Sequence, residues 1–331
     1  MRYGYKASAE QFGSRRLADL SFEAERLGLD TITVSDHFQP WRHHGGHAPN
    51  ALTWLGAAAQ GLQGAMLGTS VLTPTMRYHP SIVAQAFATA AQLSRGPVFL
   101  GIGTGEAMNE VPATGMEWPG GKERRLRMSE SIDLIRRLWT EERVDFEGDY
   151  YRTVRATIYE RPEQAIPIYV AAAGPLAARL VGRKADGFIC TSGKKMELYE
   201  TLLANIEAGA AETGRDVSRL PKMIEIKVSY DTDLETAERA CYWWGALALT
   251  PEEKQSTEDP LELERLADQH PERARSRFIV STDPDEVVER IAPYVELGFD
   301  ELVFHGPGED QERFLTLFTR DVLPRLRSRF G

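Results

Sequence analysis

The 331-residue chain reads as an α/β protein, a (β/α)8 TIM barrel. Three observations predict this. Short apolar, β-branched runs alternate with amphipathic stretches along the whole length, giving eight strand–helix units. Such units need helical, right-handed crossovers, and eight of them close into a barrel. No Pro-, Gly- or Ser-rich linker divides the chain, so residues 1–331 read as one domain with excursions at about 142–166 and 232–280. A doubly wound open sheet is the competing arrangement.

The elements follow in order. "RYGYKAS" (2–8) reads as strand one, and "SRRLADLSFEAERLG" (14–28) as a helix with Ser14 as its N-cap and Gly28 as its stop. "DTITVSD" (30–36) is strand two, followed by a helix over 51–62. "AMLGTSVL" (65–72) is strand three, followed by a helix over 81–94. "PVFLGIGTG" (97–105) is strand four, and its helix runs from roughly Lys122 to Thr140. In the excursion that follows, Gly148-Asp149 between aromatic-rich runs suggests a hairpin. "PIYVAAAG" (167–174) resumes as strand five, followed by the helix "PLAARLVGRK". "GFICTSG" (187–193) is strand six, with a helix near 195–213. "MIEIKVSYD" (223–231) is strand seven, and 232–280 is a mostly helical excursion. A helix over 283–298 carries acidic residues in its first turn, favourable against the helix dipole. "DELVFHGPG" (300–308) is strand eight, and 310–328 the closing helix. The insertions thus fall after strands four and seven.

Composition narrows the function. The net charge of −10 is unsuited to nucleic acid or an anionic membrane, though a local basic pocket remains possible. Two cysteines, Cys190 and Cys241, allow no disulfide framework and fit a reducing cytoplasm. The N-terminus lacks the apolar run of a signal peptide, and no stretch is long and apolar enough to span a bilayer.

In a barrel, function gathers where strands end. Here those ends carry Asp36, His37 and Trp41; Ser70 and Thr73; Thr104, Glu106 and Asn109; the turn Ala173-Gly174-Pro175; Thr191, Ser192, Gly193 and Lys194; and His305. The stretch "SDHFQPWRHHGGHAP" (35–49) suggests metal at first sight, but Gly45-Gly46 interrupts the helical spacing a zinc motif needs, so no metal is expected. His43, His44 and His47 then read as loop residues shaping the mouth. "GIGTGE" resembles part of a dinucleotide fingerprint, but the third glycine is missing and no helix is expected to open there. An acid/base pair is the third reading. His37 and Glu106, from the ends of strands two and four, suit oxidation of an alcohol, in which a proton leaves as a hydride leaves. The bland alternative is a satisfied core histidine and a glutamate paired with Arg or Lys.

The residues also carry a resemblance. "GYKASAEQF" (4–12), "VSDHFQPWRHHGGHAP" (34–49), "LGTSVLTPTMRYHPSIVAQAFAT" (67–89), "LGIGTGEAMNE" (100–110), "RVDFEGDYYR" (143–152), "GFICTSGK" (187–194), "KMIEIKVSYD" (222–231) and "LVFHGPG" (302–308) span nearly the whole chain. On these the sequence resembles the coenzyme F420-dependent glucose-6-phosphate dehydrogenases of the luciferase-like barrel superfamily. The resemblance implies a deazaflavin at the barrel mouth, contacted by Asp36, Ser70, Val71, Thr73, Gly105, Asn109, Ala173 and Gly174, with a cis peptide bond at Ser70–Val71. It implies His37 as base on the C1 hydroxyl of the sugar, Glu106 as acid toward the deazaflavin ring nitrogen, and Trp41 beside the reacting centre. It implies Glu10 and Thr191 as further pocket residues, and Lys194, Lys254 and Arg277 as the phosphate-binding cations. Arg273 and Arg275 are alternatives in register to Arg277. A homodimer is likewise implied. The sequence departs from the family at Ala173, which stands where glycine is usual, and across 111–128 and most of 236–276, on the substrate side.

Overall fold

The computed structural model describes all residues, 1–331. In chain order its strands are β1 (Arg2–Ala7), β2 (Thr31–Val34), β3 (Met66–Thr69), β4 (Val98–Ile102), β5 (Val144–Glu147), β6 (Arg152–Ala156), β7 (Ile168–Ala171), β8 (Gly187–Thr191), β9 (Lys222–Tyr230), β10 (Ile279–Ser281) and β11 (Glu301–His305). Eight of these pair in parallel in the order β1-β2-β3-β4-β7-β8-β9-β11, and β11 returns to β1 through Tyr5↔Phe304 and its neighbours. The sheet is therefore a closed (β/α)8 barrel, not the open sheet. β10 lies outside the ring, extending it by pairing with the end of β9. β5 and β6 form a separate antiparallel hairpin around Gly148-Asp149.

The helices are α1 (Ser14–Arg26), α2 (Ala51–Gly61), α3 (Pro80–Leu93), α4 (Ala107–Thr114), α5 (Gly121–Thr140), α6 (Pro175–Lys184), α7 (Met196–Ala211), α8 (Leu234–Ala240), α9 (Pro251–Gln255), α10 (Pro260–Ala267), α11 (Pro284–Glu296), α12 (Gln311–Leu317) and α13 (Leu323–Phe330). Sequence chemistry explains several starts. Asn50, Asp283 and Asp310 accept backbone N–H groups at the openings of α2, α11 and α12, and Thr250 with Glu253 closes a capping box on α9. Two short 3₁₀ segments, Cys241–Ala248 and Pro271–Arg277, complete the region between β9 and β10.

Four expectations change. A helix does open after strand four, at Ala107; it is only eight residues long and holds Pro112, so its periodicity is too brief to read. The 232–280 region ends in strand β10, whose three residues are likewise too few to signal. Ser14 is the first helical residue of α1, not its cap; Gly13 takes that place without a side-chain bond. The closing helix is also broken by a π-helical turn over Phe318–Val322, just before Pro324, whose ring removes one backbone donor.

Two cores result. The larger lies between barrel and helices, and takes Tyr3, Tyr5 and Ala7 from β1 and Ile224, Ile226 and Val228 from β9. The smaller plugs the barrel itself with Met66, Phe99, Tyr169, Ile189, Met223 and Val303. Above that plug the alternate residues of β1 and β9 are polar: Lys6, Glu225, Lys227 and Ser229, all buried. This is the floor beneath the mouth.

Candidate active site

A cavity of about 480 Å³ opens at the C-terminal ends of the strands. Its lining includes every residue that the family resemblance implies for the site except Gly174, which instead precedes α6 as its N-cap; Pro175, Ser192 and Gly193 also lie outside it. A larger cleft of about 1210 Å³ lies alongside, between Arg42, Trp243, Asp231 and Arg313. It contains none of the candidate site residues, and Arg42 and Arg313 are already paired with Asp268 and Asp231. The chemistry therefore belongs to the smaller cavity.

His37 follows β2 and stands between two carboxylates. Its Nε2 is 3.2 Å from Glu10 Oε1 and 3.8 Å from Glu106 Oε2. Nδ1 lies 3.2 Å from the Gln39 carbonyl and 3.2 Å from the Asn109 side-chain nitrogen, contacts that orient the ring with Nε2 facing the carboxylates. The loop carrying His37 is held by Asn109 of α4, whose side-chain oxygen accepts the N–H groups of Phe38 (2.9 Å) and Gln39 (3.2 Å). Thus Asn109, expected as a cofactor contact, also fixes the histidine loop.

The two carboxylates are tuned in opposite directions. Burial raises the pKa of Glu106, and Glu10 adds to this against the opposing pull of His37. Its side chain keeps 47 % exposure in the open cavity. Glu106 is the N-cap of α4 but its carboxyl makes no capping bond, which leaves it free for the cavity. Burial also works to raise Glu10, but His37, Lys6 and a 2.6 Å bond from Ser35 outweigh it, and the net shift is downward. Glu10 is thereby kept ionised and spent on His37 and Ser35. Two titrating groups pushed apart beside one histidine form an acid/base arrangement.

Trp41 joins the acid/base group to a cationic one. Its ring centroid is 5.9 Å from that of His37 and 5.7 Å from the Lys254 ammonium. Lys254 comes from α9, Lys194 from the loop after β8 and Arg277 from the 3₁₀ segment before β10, and all three line the cavity with Thr191. Arg277 reaches it; Arg275 turns away to Glu238. Gly193 has φ +78°, and a Cβ there would meet the Arg277 carbonyl at 3.0 Å, so the glycine permits this approach. Arg277 Nη1 donates to the Gly193 carbonyl at 3.1 Å, while its Nε is buried without a partner. Burial, followed by Arg277 and Lys194, pushes Lys254 down to about 8. Burial, Arg277 and Lys227 lower Lys194 as well. Crowded, desolvated cations with an orphan donor suit an anion such as a phosphate.

The wall between these groups is small and apolar: Val71, Gly103, Ala171, Ala172 and Ala173. The Ser70–Val71 peptide bond is cis. Gly105 has φ +80°, and a Cβ there would meet Thr73 at 2.9 Å. Asp36 lines the cavity, but its carboxylate accepts from Arg77 (2.7 Å) and Tyr78 (3.2 Å) and is not free for a ligand. Arg77 also bonds Glu110 of α4 at 3.1 Å, tying the end of β2 to the helix that carries Asn109.

Sequence reasoning missed Lys6, Glu225, Lys227, Arg77 and Glu110. Glu225 and Lys227 had a signal: a buried parallel strand reads as a continuous apolar run, yet "MIEIKVSYD" interleaves them with Ile224, Ile226 and Val228. The other loop histidines stand apart: His44 bonds Glu264 at 3.1 Å, and His43 packs edge-on against His44.

Residues 1–301 match the family described as luciferase-like monooxygenase. The F420-dependent glucose-6-phosphate dehydrogenase of Nakamurella multipartita is 57 % identical over 100 % of this chain and 98 % of its own. That of Beutenbergia cavernae is 59 % identical over 99 % and 98 %. Among solved structures, an F420-dependent secondary alcohol dehydrogenase in complex with an F420–acetone adduct shares 32 % identity and a TM-score of 0.91, covering 98 % of this chain and 99 % of that one. The F420-dependent tetrahydromethanopterin reductase of Methanopyrus kandleri, at 22 % identity and a TM-score of 0.81 over 98 % and 99 %, shares the fold. On full-length sequence identity and on fold, the chain belongs to the F420-dependent glucose-6-phosphate dehydrogenases, within the luciferase-like monooxygenase family.

Proposed function

We propose that the protein oxidises glucose-6-phosphate at C1 to 6-phosphogluconolactone, with oxidised coenzyme F420 as hydride acceptor. One observation carries this reading: a trio of cations and a His37-centred acid/base group line a single cavity, bridged by Trp41. The residues present fit the cofactor. A wall of Val71, Ala171, Ala172 and Ala173, with glycines at 103 and 105, suits a flat ring, and Ser70, Thr73 and Asn109 would hold it with the backbone of Asp36. When bound, the deazaflavin supplies the hydride acceptor at its C5.

The chain's residues do the rest. Lys194, Lys254 and Arg277 bind the phosphate, with Thr191 beside them, and so set the position of C1. His37 Nε2 takes the proton of the C1 hydroxyl as the hydride leaves the same carbon. Ionised Glu10 steadies the imidazolium that forms, as a carboxylate partner does in other histidine bases. Glu106, whose pKa is raised, would donate toward the ring nitrogen of the acceptor, and Trp41 walls the reacting centre. The products would be the lactone and the two-electron-reduced cofactor, with His37 protonated and Glu106 ionised; His37 gives up one proton and Glu106 regains one, so no net proton is released.

A second reading, a different sugar phosphate or another alcohol with the same cofactor, is favoured by the departures at 111–128 and 236–276 and by the likeness to an alcohol dehydrogenase. The cation trio argues for a phosphorylated substrate in either case. Assaying oxidised F420 with a panel of hexose-6-phosphates and simple secondary alcohols separates the two. We further propose a single-domain, cytoplasmic homodimer, for which a light-scattering mass of one chain is the counter-result.

A further inference from the structure

We propose that Lys6 is a positioning residue for the cofactor: its ammonium fixes the Ser70–Val71 bulge against the opposite side of the barrel. Lys6 stands on β1 with its side chain 6 % exposed. Its Nζ donates to the Ser70 carbonyl and lies 3.5 Å from Glu225 Oε2 on β9. One side chain thereby ties the end of β3 to a strand across the barrel interior.

The backbone around the bulge shows why a donor is needed there. Ser70 N–H donates to Val34 of β2 at 2.8 Å, and Leu72 N–H donates to Gly101 of β4 at 2.9 Å. These bonds satisfy the two edges of the bulge. The Ser70 carbonyl between them faces the interior, where an unpaired backbone oxygen is costly, and its partner is Lys6. Ser70 and Val71 both line the cavity, on the wall assigned to the cofactor.

The charges nearby allow Lys6 to be neutralised without stranding another group. Glu225 is shared among Lys6, Lys227 at 2.9 Å and His305 Nδ1 at 3.3 Å. Two ammonium groups face that one carboxylate. Removing the Lys6 charge leaves Glu225 with Lys227, a balanced buried pair, so the loss is confined to the Ser70 contact and to the field at Glu10. The phosphate cations Lys194, Lys254 and Arg277 come from other segments and keep their places.

This inference rests on the cofactor reading given above, and the test separates the two. Oxidised F420 is titrated into the protein by fluorescence, and glucose-6-phosphate is titrated in the absence of F420 by calorimetry. Wild-type protein that fails to bind F420 sinks the cofactor reading itself. With wild-type binding established, Lys6→Met should weaken F420 roughly ten-fold or more while glucose-6-phosphate affinity stays within about three-fold. Glu225→Gln, which leaves the donor on Ser70 but removes the charge that anchors it, should weaken F420 by a clearly smaller factor than Lys6→Met. Unchanged F420 binding in Lys6→Met overturns the proposal, as does an equal loss of both ligands or an equal F420 loss in Glu225→Gln. If Lys6→Met does not fold, Lys6→Leu carries the same titrations; failure of both to fold assigns Lys6 to barrel stability and overturns the proposal as well.

Discussion

His37 Nε2 lies 3.2 Å from Glu10, a carboxylate held ionised, and 3.8 Å from Glu106, a carboxylate whose pKa is raised. The histidine is thus placed between a carboxylate favoured as the anion and one that holds its proton more tightly than an ordinary glutamate. Replacing Glu10 with Gln keeps the shape and removes the anion. The expected result is a kcat reduced on the order of 10²-fold, with the sugar-phosphate KM changed by less than about three-fold. Steady-state kinetics at saturating F420 measure this. A rise in KM with kcat intact would assign Glu10 to substrate binding instead.

The phosphate-binding role proposed for Lys254 predicts a pH dependence. Its pKa is pushed down to about 8 by burial and by Arg277 and Lys194. A depressed ammonium is charged below that value and loses its proton as pH rises through it. The KM for the sugar phosphate should therefore climb between about pH 7 and pH 9, where the substrate's phosphate is already a dianion. In Lys254→Met the KM should be high throughout and flat in this range. A wild-type KM that stays constant to the alkaline end contradicts the assignment.

Arg77 is a stability element placed beside the site. It bridges Asp36 and Glu110, whose side chains are 0 % and 1 % exposed. Arg77→Met leaves two buried carboxylates without their cation. Unfolding in urea should show a loss of about 3–5 kcal/mol, since breaking one side of a buried ion pair strands the other. A loss below about 1 kcal/mol, the range of a surface pair, would show that water reaches these carboxylates.

Asn109 serves two neighbours at once. Its oxygen accepts from Phe38 and Gln39, and its nitrogen stands 3.3 Å from Glu106 Oε2. Asn109→Asp retains the acceptor but sets a second anion against Glu106. The pKa of Glu106 should rise further, moving the alkaline limb of the kcat profile to higher pH. An unshifted limb would mean that the proton governing it belongs to another group.

How much of this the sequence disclosed depends on the signal available. His37 and Glu106 were legible because both stand where apolar strands stop and polar residues begin. Lys254 and Arg277 were not: each sits in a charged, irregular segment far from Lys194, and nothing in periodicity brings α9 to the barrel mouth. Only the family resemblance named them. The helix α4 escaped because eight residues with an internal proline carry too little pattern. The side-chain partners were beyond reach for another reason: that Asp36 is spent on Arg77, or that Lys6 spans to Glu225, is a matter of distance across the fold.

The most direct test of the central claim is a spectrophotometric assay of the purified protein with oxidised F420 and glucose-6-phosphate. The account predicts loss of the deazaflavin absorbance with formation of the lactone, and a fall on the order of 10²-fold or more in kcat for His37→Ala. No loss of absorbance with any hexose-6-phosphate, in protein shown to bind F420, would contradict it.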